Sequence, residues 1–194
     1  MHSAVISTGA WSPLRFSPLA WWRGDVGLSI VTGKVAGWAD QSGNGYHLSQ
    51  ASDSLRPTYV TSGARKGQPC IETTSAGQLL TSASVTLPRE LALWVVTGTI
   101  ATQGFALTHL VGTNRSHYLY LPGIAAFNVT NSSGSLYFAR FSSWDSGNIA
   151  NRSLLGVYDG TNIDVFLNNV NVNGNSTGAP IPTSNQSGTL ASSA

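Results

Sequence analysis

Charge is what this sequence has least of. Only 9% of its residues are Asp, Glu, Lys or Arg, and the formal net charge is +2. Lys and Arg never form a run, the densest pair being Arg65-Lys66. Nucleic-acid binders concentrate basic residues on one face, so that class is excluded. A single cysteine, Cys70, rules out an intrachain disulfide and any cysteine-based metal cluster. Set between Pro69 and Ile71, it reads as a small buried hydrophobe. No window approaches the ~20 apolar residues of a membrane span. The first ten residues also lack the basic start and apolar core of a signal peptide.

What is present in quantity is turn chemistry and aromatic mass. Gly, Ser, Thr and Asn abound, 41% of the chain is hydrophobic, and there are six Trp. Disordered chains combine low hydrophobicity with high net charge, so this chain is expected to fold. Its 194 residues fit one domain able to bury a core without disulfide or metal support. Six Asn-x-Ser/Thr sequons, at Asn114, Asn128, Asn131, Asn151, Asn175 and Asn185, read as a by-product of composition. Surface-protein composition without an export signal leads us to expect release by lysis and a place on a virion or other extracellular surface.

Short apolar segments recur at turn-spaced intervals, with no helical periodicity. Residues 1–18 form an irregular lead-in broken by Pro13 and Pro18, and a first strand is expected at Leu19-Ala20-Trp21-Trp22. Residues 28–38 read as a hairpin. The longest apolar run, residues 91–100, is expected to be a central strand buried on both faces. Asp159-Gly160-Thr161-Asn162 and Asn168-Asn169 mark turns later in the chain. About a dozen such strands predict an all-β protein, a two-sheet antiparallel jelly-roll sandwich. The tail, residues 174–194, reads as loop with at most one edge strand.

The densest local signal is Trp38-Ala39-Asp40-Gln41-Ser42-Gly43-Asn44-Gly45. Gly43 and Gly45 reach positive φ without steric cost, and Asp40 can accept from the turn's own N–H groups. We read it as a structural corner with Trp38 in the core, not as a site of chemistry.

Together with Leu19-Ala20-Trp21-Trp22-Arg23-Gly24-Asp25, Arg56-Pro57-Thr58-Tyr59-Val60, Gly67-Gln68-Pro69-Cys70-Ile71 and Tyr158-Asp159-Gly160-Thr161 with Asp164-Val165-Phe166-Leu167-Asn168-Asn169-Val170, this corner resembles the concanavalin A-like, laminin-G-like jelly rolls of bacteria and their phages. The resemblance spans roughly residues 19–173. It implies a lectin/glucanase-type sandwich that binds glycans or serves in adhesion or structure. Two departures stand out. Asn169 replaces the usual Gly of a hairpin. The closing strand pair after Asn173, with its acidic-apolar end, is missing. The sheet is therefore expected to be open, finished by the lead-in or a neighbouring chain, unless the sequence is part of a longer one.

Chemistry-bearing residues are few. Glucanases of this fold place carboxylates together on one strand as Glu-x-Asp-x-x-Glu, whereas Glu72 and Glu90 stand alone. No Gly-x-Ser-x-Gly elbow marks a nucleophile. His2, His47, His109 and His117 show no metal-ligand spacing, although His109 and His117 would come close if residues 112–115 form a hairpin. Calcium would need several convergent oxygens, and Asp145, Asn148, Asp159 and Asn162 offer only some. Arg23-Gly24-Asp25 is the tripeptide integrins recognise, but it falls where the fold needs a strand end. The candidate ligand loop is residues 142–148: Trp144 beside Asp145 and Asn148, bordered by Tyr137, offers an aromatic face and hydroxyl partners for a sugar. The competing reading has Trp144 capping the core.

The expectation is a non-enzymatic, oligomeric decoration protein of a phage capsid or tail, without cofactor, metal, nucleic acid or membrane. Its partners would be other virion subunits, met through the N-terminal arm and open edge, and polysaccharide. The alternatives are a dedicated carbohydrate-binding adhesion module and, more remotely, a glycoside hydrolase.

Overall fold

The computed structural model of the chain describes residues 12–62, 67–75, 77–88, 90–97, 104–111, 114–121, 126–130, 136–140, 152–159, 161–168, 170–171, 175–176 and 186–193. Over these residues the protein is all-β. The first strands are β1 (Leu28–Val31), β2 (Lys34–Trp38), β3 (Leu48–Ser49), β4 (Thr58–Val60), β5 (Cys70–Glu72) and β6 (Leu79–Leu87). β7 (Leu91–Thr97), β8 (Gly104–Val111), β9 (Asn114–Leu121), β10 (Ala126–Thr130) and β11 (Leu136–Arg140) follow. β12 (Arg152–Tyr158), β13 (Ile163–Leu167), β14 (Val170–Asn171), β15 (Asn175–Ser176) and β16 (Gln186–Ser193) complete the set. Helix is confined to two 3-10 turns, Pro13–Phe16 and Asp53–Leu55, among the described residues.

All described pairings are antiparallel, in two sheets. Twelve strands run β15-β11-β10-β9-β8-β16-β6-β3-β2-β4-β5, with β1 paired to β2 off that path. The second sheet has four strands, β14-β13-β12-β7. β12 and β13 lie against β10 and β11, so the smaller sheet covers one end of the larger.

Gly156 fixes how close that approach is. A Cβ built on Gly156 would stand 2.6 Å from both Cβ and Cδ2 of Phe127, and closer still to Cγ. Glycine here supplies space and not a special φ: the ring of Phe127 on β10 lies against the bare backbone of β12. Around this contact Phe127, Val129, Leu154, Tyr158, Ile163 and Val165 are buried. A second cluster joins Val35, Leu48, Leu80, Val85 and Leu87, flanked by Trp22, Trp38, Tyr46 and Tyr59. Each such side chain contributes about 1.5–3 kcal/mol on burial.

Three expectations are corrected. Residues 19–22 form no strand, because their backbone is taken up by the corner: the N–H of Trp21 donates to Asp40 Oδ1 at 2.9 Å. The tail's long strand is not at an edge. β16 lies between β6 and β8, bonded on both sides, and occupies an interior place in a sheet that was expected to be open there. Finally, β7 is not central. Among the described residues it pairs only with β12, and its residues alternate, Leu93 buried while Ala92, Trp94 and Val96 are exposed.

Candidate binding face

The corner is a hub of hydrogen bonds around one buried carboxylate. Asp40 accepts from the N–H groups of Trp21, Ser42 and Tyr46 at 2.9, 2.9 and 3.1 Å and from the Ser42 hydroxyl at 2.7 Å. Burial alone would raise its pKa; the hydrogen bonds from Trp21, Ser42 and Tyr46 outweigh that and hold it below the usual carboxylate range. The Asp40 N–H in turn donates to His47 Nδ1 at 3.0 Å. Gly43 and Gly45 take φ of +94° and +80° with open space around them, so backbone conformation is what selects glycine there. Asn44 Nδ2 donates to the Pro18 and Leu19 carbonyls, clasping the lead-in to the corner. Trp38 packs against the second core cluster while its indole N–H donates to the Arg23 carbonyl at 2.6 Å. The Asp40 carboxylate and the donors that meet it are thus committed to structure.

Other sequence candidates are spoken for or lie elsewhere. Trp144, Asp145 and Asn148 lie outside the described residues. Tyr137 sits on β11 in register with Val129 of β10. Asp159 accepts from the N–H groups of Thr161 and Asn162 at 2.8 and 2.6 Å, an Asx-type turn that occupies its carboxylate. Those bonds, led by Asn162, hold its pKa below the ordinary value. Arg23 and Asp25 bridge each other at 2.7 Å, and the guanidinium lies 5.8 Å from the Trp21 ring centroid. β8 and β9 pair antiparallel, placing His109 and His117 in register. His109 is fully buried with Nε2 3.2 Å from the Val85 carbonyl, and burial depresses its pKa, keeping it neutral. Glu72 lies on β5 of the larger sheet, whereas Glu90 sits just before β7 of the smaller one. Among the described residues no three His, Cys, Asp or Glu side chains cluster as metal ligands would. The sequon at Asn128 is buried in the middle of β10, paired on both sides, and so is closed to glycosylation in the folded chain.

The sequence reading missed the outer face of the smaller sheet. Its inner face carries Leu93, Leu154, Tyr158, Ile163 and Val165, all buried. The opposite face therefore carries Ala92, Trp94 and Val96 from β7, Ser153, Leu155 and Val157 from β12, and Asp164 and Phe166 from β13. An antiparallel sheet with one wet face normally alternates apolar with polar. Here Trp94 is 43% and Val96 50% exposed, with Leu155, Val157 and Phe166 part-buried beside them. Register lines up Trp94, Leu155 and Phe166 directly across three strands.

The indole of Trp94 is oriented. Its Nε1 donates to Ser153 Oγ at 2.6 Å, on the strand next door. Ser153 is itself held, its N–H donating to Asn168 Oδ1 at 3.0 Å and its carbonyl accepting from Asn168 N–H at 2.8 Å. Asn168 can do both because it turns the β13–β14 hairpin at φ +50°, a conformation asparagine tolerates. A fixed, exposed aromatic ring on a rigid sheet is a preorganised stacking surface. The sequence signal was available: the run from Leu91 to Val96 has no polar residue at the positions that turn out to face solvent.

The fold resembles that of a solved toxin domain. It is similar to the binding domain of Paraclostridial Mosquitocidal Protein 1, with a TM-score of 0.56 and 12% identity. The match covers 84% of this chain and 42% of that one, so this chain spans less than half the length of its structural relative. At this identity the likeness concerns the fold. No family model and no curated protein matches the sequence.

Proposed function

We propose that this chain is a non-catalytic binding module that adheres to carbohydrate through the outer face of its smaller sheet. The observation that carries the reading is Trp94, exposed on a largely apolar sheet face and held in one orientation by Ser153. Pyranose rings present apolar C–H faces that stack on an indole, and their hydroxyls find acceptors at the rim in Asn168 and Asp164. Orienting the ring beforehand reduces the ordering cost of binding. The similarity to a domain described as a binding domain supports the same reading.

The finer architecture we assign is the laminin-G-like sandwich that the motifs resemble, and the biological setting is a virion or cell surface. Leu14 and Phe16, strongly exposed on the first 3-10 turn, give the N-terminal arm an apolar surface suited to a neighbouring subunit. That setting rests on composition, resemblance and these two residues.

Affinity electrophoresis through gels containing soluble polysaccharides tests the binding function. The wild-type chain is expected to be retarded by at least one polysaccharide, and Trp94→Ala to migrate as in a plain gel while keeping its melting temperature. Equal retardation of both proteins would show that the face is not the site.

A further inference from the structure

The register of the smaller sheet sets a length scale for whatever lies on it. Trp94 pairs with Leu155, and Leu155 with Phe166, so the two aromatic residues stand two strands apart on the same face. Neighbouring strands are about 4.8 Å apart, which separates Trp94 and Phe166 by about 9.6 Å. In an extended β-1,4-linked pyranose chain each ring is turned over relative to the one before. The same ring face therefore returns at every second sugar, after a length close to two strand spacings. Coiled α-linked chains do not keep successive faces aligned in this way. Trp94 and Phe166 thus match sugars i and i+2, with Leu155 beneath the sugar between them.

Charge narrows the ligand further. The charged residues on or beside this face are Asp164 on β13, Asp159 in the β12–β13 turn and Glu90 just before β7, against one base, Arg152, at the first position of β12, so the balance is acidic. A uronate or sulfated glycan would bring like charge against these carboxylates. A neutral chain meets only hydrogen-bond acceptors for its hydroxyls.

Resting on the glycan-binding reading above, we propose that this face binds an uncharged, extended β-1,4-linked polysaccharide laid across the strands, with alternate sugars stacked on Trp94 and Phe166. The test is calorimetric titration with cello-, manno-, xylo- and chito-oligosaccharides of two to six sugars, with alginate as the polyanionic probe. For at least one neutral series, affinity is expected to rise about tenfold between the disaccharide and the trisaccharide, as the second ring is engaged. Phe166→Ala should remove that rise, whereas Trp94→Ala should abolish binding at every length. Phe166 is part-buried, so Phe166→Leu, which keeps most of the volume without the ring, serves as a second variant and should also lose the rise.

Neutral binding that depends on Trp94 but is unchanged in both Phe166 variants would overturn the two-ring geometry and leave the glycan reading standing. Tighter binding to alginate than to any neutral series would overturn the charge argument. Binding to none of the probes, or binding indifferent to Trp94, would overturn both the inference and the function beneath it.

Discussion

Replacing Gly156 with alanine puts one methyl group where the Phe127 side chain already is. The atoms it meets, Cβ, Cγ and Cδ2, belong to the stem and near edge of the ring. A swing of the ring tip therefore gives no relief; either χ1 of Phe127 must change or β12 and β10 must move apart. Inserting a methyl group into a packed core costs about 1–3 kcal/mol, and the rigidity of this neighbour puts the cost near the top of that range. Alanine's narrower unfolded ensemble offsets about 0.4–1 kcal/mol of it. The net loss is then about 2 kcal/mol, and in a domain of this size each kcal/mol lowers the melting temperature by about 2–4 °C. Calorimetry should therefore find Gly156→Ala melting about 4–8 °C below wild type. Adding Phe127→Ala removes Cγ and Cδ2, two of the three atoms the methyl meets, so the double variant should lose at least about 0.5 kcal/mol less than the sum of the singles. A Gly156→Ala protein melting within a degree of wild type would refute the reasoning, because the two sheets could not then be in contact at this point.

Asp40→Asn should cost about 2–3 kcal/mol at pH 7, since an amide presents N–H groups to some of the donors that Asp40 now satisfies. The folded pKa of Asp40 lies below its unfolded value, so its contribution is complete above about pH 4 and is lost as pH falls through the folded value. Urea titrations from pH 7 downward should show the gap between the two proteins closing in acid, and a gap constant with pH would exclude this account. Thr108 is 3% exposed and its hydroxyl has no hydrogen-bond partner among the described residues, so Thr108→Val should stabilise the chain by about 1 kcal/mol, read as a raised urea midpoint; a lowered midpoint would reveal a partner for that hydroxyl. Ser153→Ala frees the Trp94 indole without removing it and should weaken glycan binding several-fold while leaving the melting temperature nearly unchanged. Wild-type affinity in that variant would show that the orientation of the ring is unimportant.

Much of the strand pattern is local and so legible in one dimension. The hairpin of β1 and β2, the strands β9 to β13 and the turns at Asp159 and Asn168 follow from alternation and turn chemistry. The corner is equally local: an Asp two residues before Ser42, followed by two glycines, contains its own hydrogen-bond acceptor and its own positive-φ positions. β8 and β16 were not legible. Thr189 is the one β-branched residue of β16, which has no aromatic and is otherwise mostly Ser, Gly, Ala and Gln, and its stability as a strand comes from backbone bonds on both sides to β6 and β8. Those partners are distant in sequence, and nothing within residues 186–193 names them.

The outer face of the smaller sheet shows the same division at the level of function. The sequence by itself determined that residues 91–97 are an apolar, aromatic strand. It could not determine whether both faces of that strand are covered, because burial depends on which other strands arrive. Tertiary structure decided it: the larger sheet covers the side of Leu93, with β8 against β7 and β10 and β11 against β12 and β13, no described strand lies beyond β7, and Trp94 is left facing outward beside Leu155 and Phe166. A run that reads as core from its composition becomes a solvent-facing sheet surface through sheet order alone.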